Sequence, residues 1–161
     1  MENREKPDAA LARRVLPGPL HECLVNIFSQ GIDGTALVGG TALAGYYFGH
    51  RRSDDIDLFS QSPAAFRAAV LAVKHLEKRD VVLSNLSQSA QYFHANCTFR
   101  DHSFTVDVVL DENLFKVGSF KIVKGEVLVP SLETILRMKI ATLVSIPAEK
   151  DLYDLKWIFK Q

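Results

Sequence analysis

Asp55 and Asp57 stand two positions apart in a segment whose other residues, Ile56, Leu58 and Phe59, are apolar. This alternation predicts a β-strand, in which side chains at positions i and i+2 project from the same face. The two carboxylates would then lie close together and repel each other unless a cation neutralises them. Carboxylate oxygens are ligands that Mg²⁺ and Mn²⁺ prefer, so the pair is a candidate site for one of these ions. A solvated strand end without a ligand is the alternative that the two residues alone leave open.

A third acidic residue, Asp107, lies in a second segment with strand periodicity, 103–110. The larger apolar residues of this segment share one face of the predicted strand: Phe104, Val106, Val108 and Leu110. Asp107 therefore lies on the opposite face. If this strand neighbours the one that carries Asp55 and Asp57, the three carboxylates form one group, but the sequence does not determine strand order.

Gly39, Gly40 and Thr41 follow a short apolar run, 36–38, and precede a helical segment, 42–48. Two residues without side chains expose backbone N–H groups at the positive end of that helix. This arrangement is typical of a loop that cradles phosphate groups. A tight turn without a ligand is the alternative that the residues leave open.

Lys139 falls within the apolar stripe of a predicted helix, 131–144. The stripe also includes Leu132, Ile135, Leu136, Ile140 and Leu143. Because an unpaired ammonium in an apolar core is very costly, Lys139 either extends to the edge of the core or holds a buried anionic partner. Asp151 and Asp154 share one side of the final predicted helix, where Lys150 and Asp154 also suit an ordinary i, i+4 ion pair.

In combination these features resemble the nucleotidyltransferase superfamily that includes polymerase-beta-like enzymes. The run LVGGTALAGYYFGHRRSDDIDLF, residues 37–59, most resembles the abortive-infection nucleotidyltransferase toxins of type IV toxin-antitoxin systems, the E-ii and G-ii families. The segments LRMKIATL, residues 136–143, and KDLYDL, residues 150–155, match two further motifs of these toxins.

The resemblance implies a reaction that depends on Mg²⁺ or Mn²⁺, in which a nucleoside triphosphate loses pyrophosphate and its nucleotide moves to an acceptor. It implies that Asp55 and Asp57 are metal ligands and that Asp107 is the third ligand or the base. Lys139 would contact the triphosphate. Asp151 would orient or deprotonate the acceptor.

The resemblance also implies a set of nucleotide-binding positions. These are Gly39, Gly40, Thr41, Arg51, Arg52, Ser53 and Lys139. The two arginines would hold phosphate oxygens through charged hydrogen bonds, unless they are simply solvated in their loop. Asp154 is expected to be structural.

Other polar residues near these motifs receive a weaker interpretation. His50 precedes the acidic strand and is a candidate for substrate contact. Asp54 is discounted as a ligand, because strand parity turns it away from Asp55. The remaining histidines show no ligand spacing and are interpreted as surface or filler residues: His21, His75, His94 and His102.

Helical and strand periodicities together predict an α+β, α/β-like domain: a mixed sheet of five or six strands with helices packed on it, the nucleotidyltransferase fold by resemblance. Predicted helices cover 18–30, 42–48, 63–76, 131–144 and 148–159. Predicted strands cover 36–38, 55–59, 81–83, 93–99, 103–110, 120–123 and 126–129. The last two strands are expected to form a hairpin at Lys124 and Gly125.

Length and composition favour one domain over residues 1–161, with a polar N-terminal arm, 1–17, and C-terminal helices, 131–161. The chain has 19 basic and 19 acidic residues, so its overall charge does not attract it to nucleic acid or to an anionic membrane. No apolar run reaches the roughly 18 residues of a membrane span. With no disulfide pattern at Cys23 and Cys97, a cytoplasmic location is expected.

The residues and the resemblance together suggest three functions. The leading one is a toxin that transfers a nucleotide to RNA or protein and is silenced by an antitoxin protein. The second is transfer to a small hydroxylated molecule such as an aminoglycoside. The third is a catalytically silent nucleotide-binding module, against which the intact acidic residues argue.

Overall fold

The computed structural model describes residues 6–123, 127–145 and 148–160, with only the backbone described at 114 and 142–145. Its centre is a five-stranded sheet in the order β1-β2-β5-β4-β3. The strands are β1 (Thr35–Val38), β2 (Asp55–Ser60), β3 (Val82–Gln88), β4 (Tyr92–Phe99) and β5 (His102–Leu110). β2 and β5 are parallel and the other neighbours are antiparallel, so the prediction of a mixed sheet is confirmed with five strands.

A separate two-stranded antiparallel sheet is formed by β6 (Phe120–Val123) and β7 (Val127–Pro130). β7 lies against β1, the strand at one edge of the main sheet, and so covers that edge. The turn expected at Lys124 and Gly125 lies outside the described residues.

Seven α-helices surround the sheet within the described part of the chain. They are α1 (Ala9–Val15), α2 (Gly18–Ser29), α3 (Gly39–Leu43), α4 (Pro63–Lys74), α5 (Leu114–Val117), α6 (Leu132–Ser145) and α7 (Glu149–Phe159). α3 continues into a π-helical turn (Ala44–Phe48), and α4 into a 3₁₀ turn (His75–Arg79). None of the helices described here is long and apolar enough to cross a membrane.

Three helices differ from the prediction, and one of them, the short α5, lies in a segment for which no helix was predicted. The expected polar arm contains α1, because the Asp8 carboxylate accepts hydrogen bonds from the first free backbone N–H groups, those of Ala10 and Leu11. Ala12 then packs α1 into the core and is fully buried. α3 begins at Gly39, three residues earlier than predicted, so the glycine pair is the first turn of the helix itself.

The sheet has one apolar face and one polar face. α2 and α4 pack on the apolar face, where strand residues are fully buried. These residues are Ile56, Leu58, Phe93, Ala95, Val106 and Val108. Burial of this face provides the main hydrophobic stabilisation, and it holds the strands that carry the acidic residues on the other face.

A buried group of charges fixes α7 to the rest of the domain. The Asp154 side chain is fully buried, with Oδ2 2.8 Å from Lys139 Nζ of α6. Its Oδ1 lies 2.8 Å from Arg51 Nε and 2.6 Å from His50 Nε2, both in the loop before β2. We call these four residues the Asp154 cluster. It ties α6, α7 and the start of the acidic strand together.

Asp154 is ionised in this cluster. Burial alone would raise the pKa of its carboxyl group, but hydrogen bonds from His50, Arg51 and Lys139 outweigh burial and hold that pKa well below its usual range. Such an arrangement is sensitive to the loss of one partner, because the remaining buried charges are then uncompensated.

We expect Asp154→Asn to lower the free energy of unfolding by about 3–5 kcal/mol at pH 7, because Arg51 loses its buried anionic partner and Lys139 loses one of its two. Urea denaturation measures this directly. A lowered pKa in the folded protein stabilises it above the unfolded pKa of about 4, and this contribution is lost as the pH falls through the folded value. The difference from wild type should therefore shrink below about pH 4.

Asp54→Asn is the matched control, since Asp54 is 44% exposed and its partners, Arg52 Nε at 3.4 Å and His102 Nε2 at 2.9 Å, lie outside the Asp154 cluster. Its loss should cost less than about 1 kcal/mol. If the two variants were equally stable, the cluster would not have the structural role described.

Candidate active site

The polar face of the sheet carries Asp55 and Asp57. Exposure alternates along β2, with Ile56 and Leu58 fully buried and the two acids partly exposed. The apolar side chains thus point toward α2 and α4, and both carboxylates project from the opposite face.

Asp107 lies beside Asp57. In the parallel register of β2 and β5, Asp57 pairs with Asp107, and Asp55 pairs with Thr105. Neighbouring strands lie about 4.8 Å apart, so the side chains of Asp57 and Asp107 leave the same face next to each other. The structure therefore establishes the strand adjacency that the sequence left open.

The electrostatics of this face show an excess of negative charge. The pKa of Asp57 is raised from 3.8 to about 6, with burial as the largest cause and the charges of Asp107 and Asp55 adding to it. Lys150 and Lys139 act in the opposite direction but do not cancel the effect. A further cation beside Asp57 would stabilise the ionised form of its carboxyl group.

Asp55 is held by two partners. Thr105 Oγ1 donates a hydrogen bond to Asp55 Oδ1 at 2.8 Å, and Lys150 Nζ lies 3.3 Å from Asp55 Oδ2. Lys150 thus reaches across to β2, and the i, i+4 pair with Asp154 considered from the sequence is replaced by this contact.

Asp107 is held by Tyr92 and His94 of β4. The Tyr92 hydroxyl donates to Asp107 Oδ1 at 2.5 Å, and His94 Nδ1 lies 2.8 Å from the same oxygen. The bond to Asp107 is the main reason why the pKa of Tyr92 rises to about 12 and that of His94 rises.

The interpretation of His94 as a surface or filler residue is therefore corrected. The sequence indicates that His94 lies on the polar face of the sheet, since positions 92, 94 and 96 alternate with the apolar residues of β4. A second sign is the turn of only two residues, Arg100 and Asp101, between β4 and β5, since so short a connection indicates the antiparallel pairing that places His94 opposite Asp107.

Gly39 and Gly40 allow two side chains to lie against the backbone. Gly39 has a left-handed φ of +72°, and a Cβ there would stand 2.6 Å from Asp57 Oδ2. A Cβ on Gly40 would collide with Arg51 Nη2. The bend thus requires glycine for reasons of packing, whether or not it also receives a phosphate.

Thr41 and Ser53 are placed differently from the expectation that they bind nucleotide. Thr41 is fully buried and Ser53 is 4% exposed, and Thr41 Oγ1 donates to Ser53 Oγ at 2.7 Å. The Thr41 hydroxyl also contacts the carbonyl oxygen of Asp55. These bonds fasten the loop before β2 to α3, so both hydroxyl groups are engaged within the protein.

Arg51 and Arg52 are also placed differently. Arg51 bonds Asp154 through Nε at 2.8 Å and Nη2 at 3.0 Å, and its Nη1 donates to the carbonyl oxygen of Arg52. Its donors are thus committed to positioning the loop. The Arg52 side chain is 64% exposed and contacts Asp54 and His102, away from the three carboxylates.

His50 does not reach a substrate position. Its side chain is fully buried, bonded to Asp154, and its ring stacks on Tyr153 with centroids 5.6 Å apart. The candidate substrate contact is therefore corrected to a packing and hydrogen-bonding role within the Asp154 cluster.

Lys139 has the buried anionic partner that was one of its two alternatives. It is 6% exposed, and its Nζ lies 2.6 Å from Asp151 Oδ1 in addition to its contact with Asp154. Asp151 is 5% exposed. The motifs of α6 and α7 thus meet through two ion pairs of Lys139, one with Asp151 and one with Asp154.

A cavity of about 250 Å³ lies where these elements converge. Its polar lining consists of Gly39, Gly40, Asp57, Lys139, Lys150 and Asp151. Its apolar lining consists of Val38, Phe59, Ile135 and Met138. Three of the apolar residues, Val38, Phe59 and Met138, belong to one small cluster, so the cavity has a charged side and an apolar side.

The three carboxylates lie on neighbouring strands, but their oxygens do not converge on one point as the ligands of a metal ion do. Among the described side chains, no three His, Cys, Asp or Glu residues converge as a metal-binding group. Asp55, Asp57 and Asp107 nevertheless share one face of two adjacent strands, and burial together with the two neighbouring carboxylates raises the pKa of Asp57.

Comparison with solved structures identifies the fold. A protein assigned as a nucleotidyltransferase from H. pylori superposes with a TM-score of 0.61 at 16% identity, over 87% of this chain and 66% of that one. JHP933 from Helicobacter pylori gives 0.59 at 16% identity, over 88% and 65%. The nucleotidyltransferase toxin MenT4 from Mycobacterium tuberculosis gives 0.60 at 13% identity, over 95% and 64%. The chain spans just under two thirds of the length of these proteins, and at such identities the likeness shows the nucleotidyltransferase fold alone.

Comparison of the sequence gives the family. No curated protein matches the chain significantly. The sequence model of the nucleotidyl transferase AbiEii toxin, type IV toxin-antitoxin system, matches residues 23–161. Since that match includes the Gly-Gly bend, all three carboxylates and the Lys139–Asp151 pair, the chain belongs to the AbiEii nucleotidyl transferase toxin family.

Proposed function

We propose that this chain transfers a nucleotide from a nucleoside triphosphate to an acceptor in a reaction that depends on Mg²⁺ or Mn²⁺. The observation that carries the proposal is the pairing of Asp57 with Asp107 across β2 and β5, with Asp55 on the same face. Membership of a nucleotidyl transferase toxin family supports it.

The reaction sets a clear electrostatic requirement. An acceptor oxygen bonds to the α-phosphorus, the bond from that phosphorus to the bridging oxygen breaks, pyrophosphate leaves and the acceptor gives up one proton. Negative charge accumulates on the phosphate oxygens as this occurs, so positive groups must be placed beside them. A face of three carboxylates can serve such a reaction only if cations bind to it.

The residues present fit a divalent ion. Asp55, Asp57 and Asp107 supply the oxygen ligands that suit Mg²⁺ or Mn²⁺, and the pKa of Asp57 is raised first by burial and then by the charges of Asp107 and Asp55, which the nearby lysines do not cancel. When bound there, such an ion polarises the phosphate and activates the acceptor oxygen. The pairing of β2 with β5 holds the three carboxylate side chains on one face of the sheet.

The cavity beside the carboxylates suits the nucleotide. Lys139 lines its charged side, is held by Asp151, and is the candidate triphosphate contact. Lys150 is 58% exposed and contacts Asp55 at 3.3 Å, so its flexible side chain can exchange that weak contact for a phosphate oxygen. Val38, Phe59 and Met138 offer the base an apolar surface.

The family context suggests a protein that arrests growth and is silenced by an antitoxin. The acceptor classes that we consider are RNA, protein and a small hydroxylated molecule. A catalytically silent nucleotide-binding module is the competing function, and transfer experiments separate it from an enzyme.

Incubation of the protein with each of the four α-labelled nucleoside triphosphates, Mg²⁺ and cell extract should label one acceptor class. We expect Asp57→Asn to reduce labelling by at least about 100-fold, since a charge-bearing ligand is lost. Asp54→Asn, which removes a nearby acid that does not line the cavity, should label as wild type does. Absence of label with all four nucleotides would contradict transfer to any acceptor in the extract.

Nucleotide and metal binding can be followed without turnover. A non-hydrolysable triphosphate with Mn²⁺ at about 100 times its Kd should stabilise the wild type by about 2.7 kcal/mol, or roughly 5–10 °C in Tm. Asp57→Asn should lose this stabilisation. Equal shifts in the two proteins, with no labelling, would favour the silent module.

The pH dependence of stability tests the strain on Asp57 itself. A raised pKa means that the folded protein disfavours the ionised acid, so the contribution of Asp57 to stability should fall as the pH rises from about 4 through about 6. In EDTA, Asp57→Asn should therefore be more stable than wild type at pH 7.5, by up to about 3 kcal/mol, and similar to it at pH 4. Thermal denaturation at both pH values measures the difference, and a variant less stable than wild type at pH 7.5 would show that burial and the neighbouring carboxylates do not destabilise the ionised form of Asp57.

A further inference from the structure

The two side chains on Asp107 engage only one of its oxygens. The Tyr92 hydroxyl, 2.5 Å away, and His94 Nδ1, 2.8 Å away, both contact Oδ1. These contacts come from β4, which flanks β5 on one side, whereas β2 with Asp57 flanks it on the other. Tyr92 and His94 thus approach the Asp107 carboxylate from the side opposite to Asp57.

Strand register explains why both side chains reach the same oxygen. His94 stands directly opposite Asp107, and Tyr92 pairs with Val109, which makes Tyr92 the diagonal neighbour of Asp107. Directly opposed side chains touch, and a long aromatic side chain spans the diagonal. His94 is itself restrained, since its Nε2 lies 2.9 Å from Asn96 Oδ1 on the same face of β4.

We infer that Tyr92 and His94 are positioning residues that fix the Asp107 carboxylate so that its second oxygen, Oδ2, is presented on the Asp57 side. This inference rests on the proposed function and extends it to two residues that lie outside the glycine, acidic and lysine motifs. The two donors limit the rotation of Asp107 before any cation arrives. A ligand held in advance loses less conformational freedom on binding, and its supporting hydrogen bonds are typically worth 10–100-fold in metal affinity.

A purely structural role for the pair makes a different prediction. If Tyr92 and His94 only compensate the charge of Asp107, their removal should lower Tm and leave the behaviour toward a cation unchanged in the protein that remains folded. A positioning role should instead change cation affinity and the conformation of Asp107 at constant fold. The two roles are therefore separable by measurement.

The test compares four proteins: wild type, Tyr92→Phe combined with His94→Leu, His94→Asn alone and His94→Leu alone. Asparagine keeps an N–H donor near the position of Nδ1, whereas leucine fills the space without a donor. Mn²⁺ affinity is measured by electron paramagnetic resonance of free Mn²⁺ in the presence of a non-hydrolysable triphosphate. Thr98→Val is the matched control, because Thr98 lies on the same strand and bonds Ser103 instead of Asp107.

We expect the double variant to bind Mn²⁺ about 10–100-fold more weakly than wild type. His94→Leu should lie between the two, His94→Asn should recover most of the loss, and Thr98→Val should match wild type. Crystal structures without metal should show one Asp107 conformer in the wild type and altered or multiple conformers in the double variant, which remains a readout if the affinities are difficult to obtain.

The results overturn the inference in distinguishable ways. If the wild type binds Mn²⁺ and the double variant binds it equally well, or if His94→Asn is as weak as His94→Leu, the positioning role is wrong and the proposed function stands. If the wild type shows no Mn²⁺ binding with any of the four triphosphates, the proposed function fails and this inference fails with it.

Discussion

The parallel pairing of β2 with β5 is the constraint on which the candidate active site depends. It brings Asp57 beside Asp107 although the two strands are separated by α4, β3 and β4 along the chain. The apolar residues of both strands bury the opposite face against α2 and α4, so the hydrophobic core sets the register. A slip of one residue in either strand would place its carboxylate in the core. The energy that folds the protein therefore also holds like charges together.

The Asp154 cluster is the second constraint, and it links the cavity's two walls. Lys139 on α6 is held between Asp151 and Asp154 of α7, while Arg51 connects the same Asp154 carboxylate to the loop before β2. Arg51 also lies over Gly40, where a side chain would not fit. The glycine bend, the acidic strand and the C-terminal helices thus form one connected unit around the cavity. Their relative positions are set by buried charge pairing in addition to apolar contact.

Local rules predict much of this arrangement from the sequence, and long-range contacts explain what they miss. The alternation of side chains along β2 places Asp55 and Asp57 on one face. The helical spacing around Lys139 requires either a buried anionic partner or a side chain that extends to solvent. The partner of Lys139 and the neighbour of Asp57 depend on tertiary contacts that spacing does not encode. The misplaced residues share this cause. Thr41 and Arg51 lie within the motif, but the fold turns their polar atoms toward Ser53 and Asp154. His94 is different, because the two-residue turn between β4 and β5 is visible in the sequence and the register it sets places His94 opposite Asp107.

The three carboxylates, on this proposal, jointly hold divalent ions beside a nucleotide. Anomalous scattering from crystals that contain Mn²⁺ and a non-hydrolysable triphosphate tests this most directly. We expect Mn²⁺ peaks about 2.1 Å from oxygens of Asp55, Asp57 and Asp107, with the triphosphate reaching Lys139. A bound triphosphate without Mn²⁺ at these residues, or Mn²⁺ that leaves Asp107 uncoordinated, would contradict the proposal.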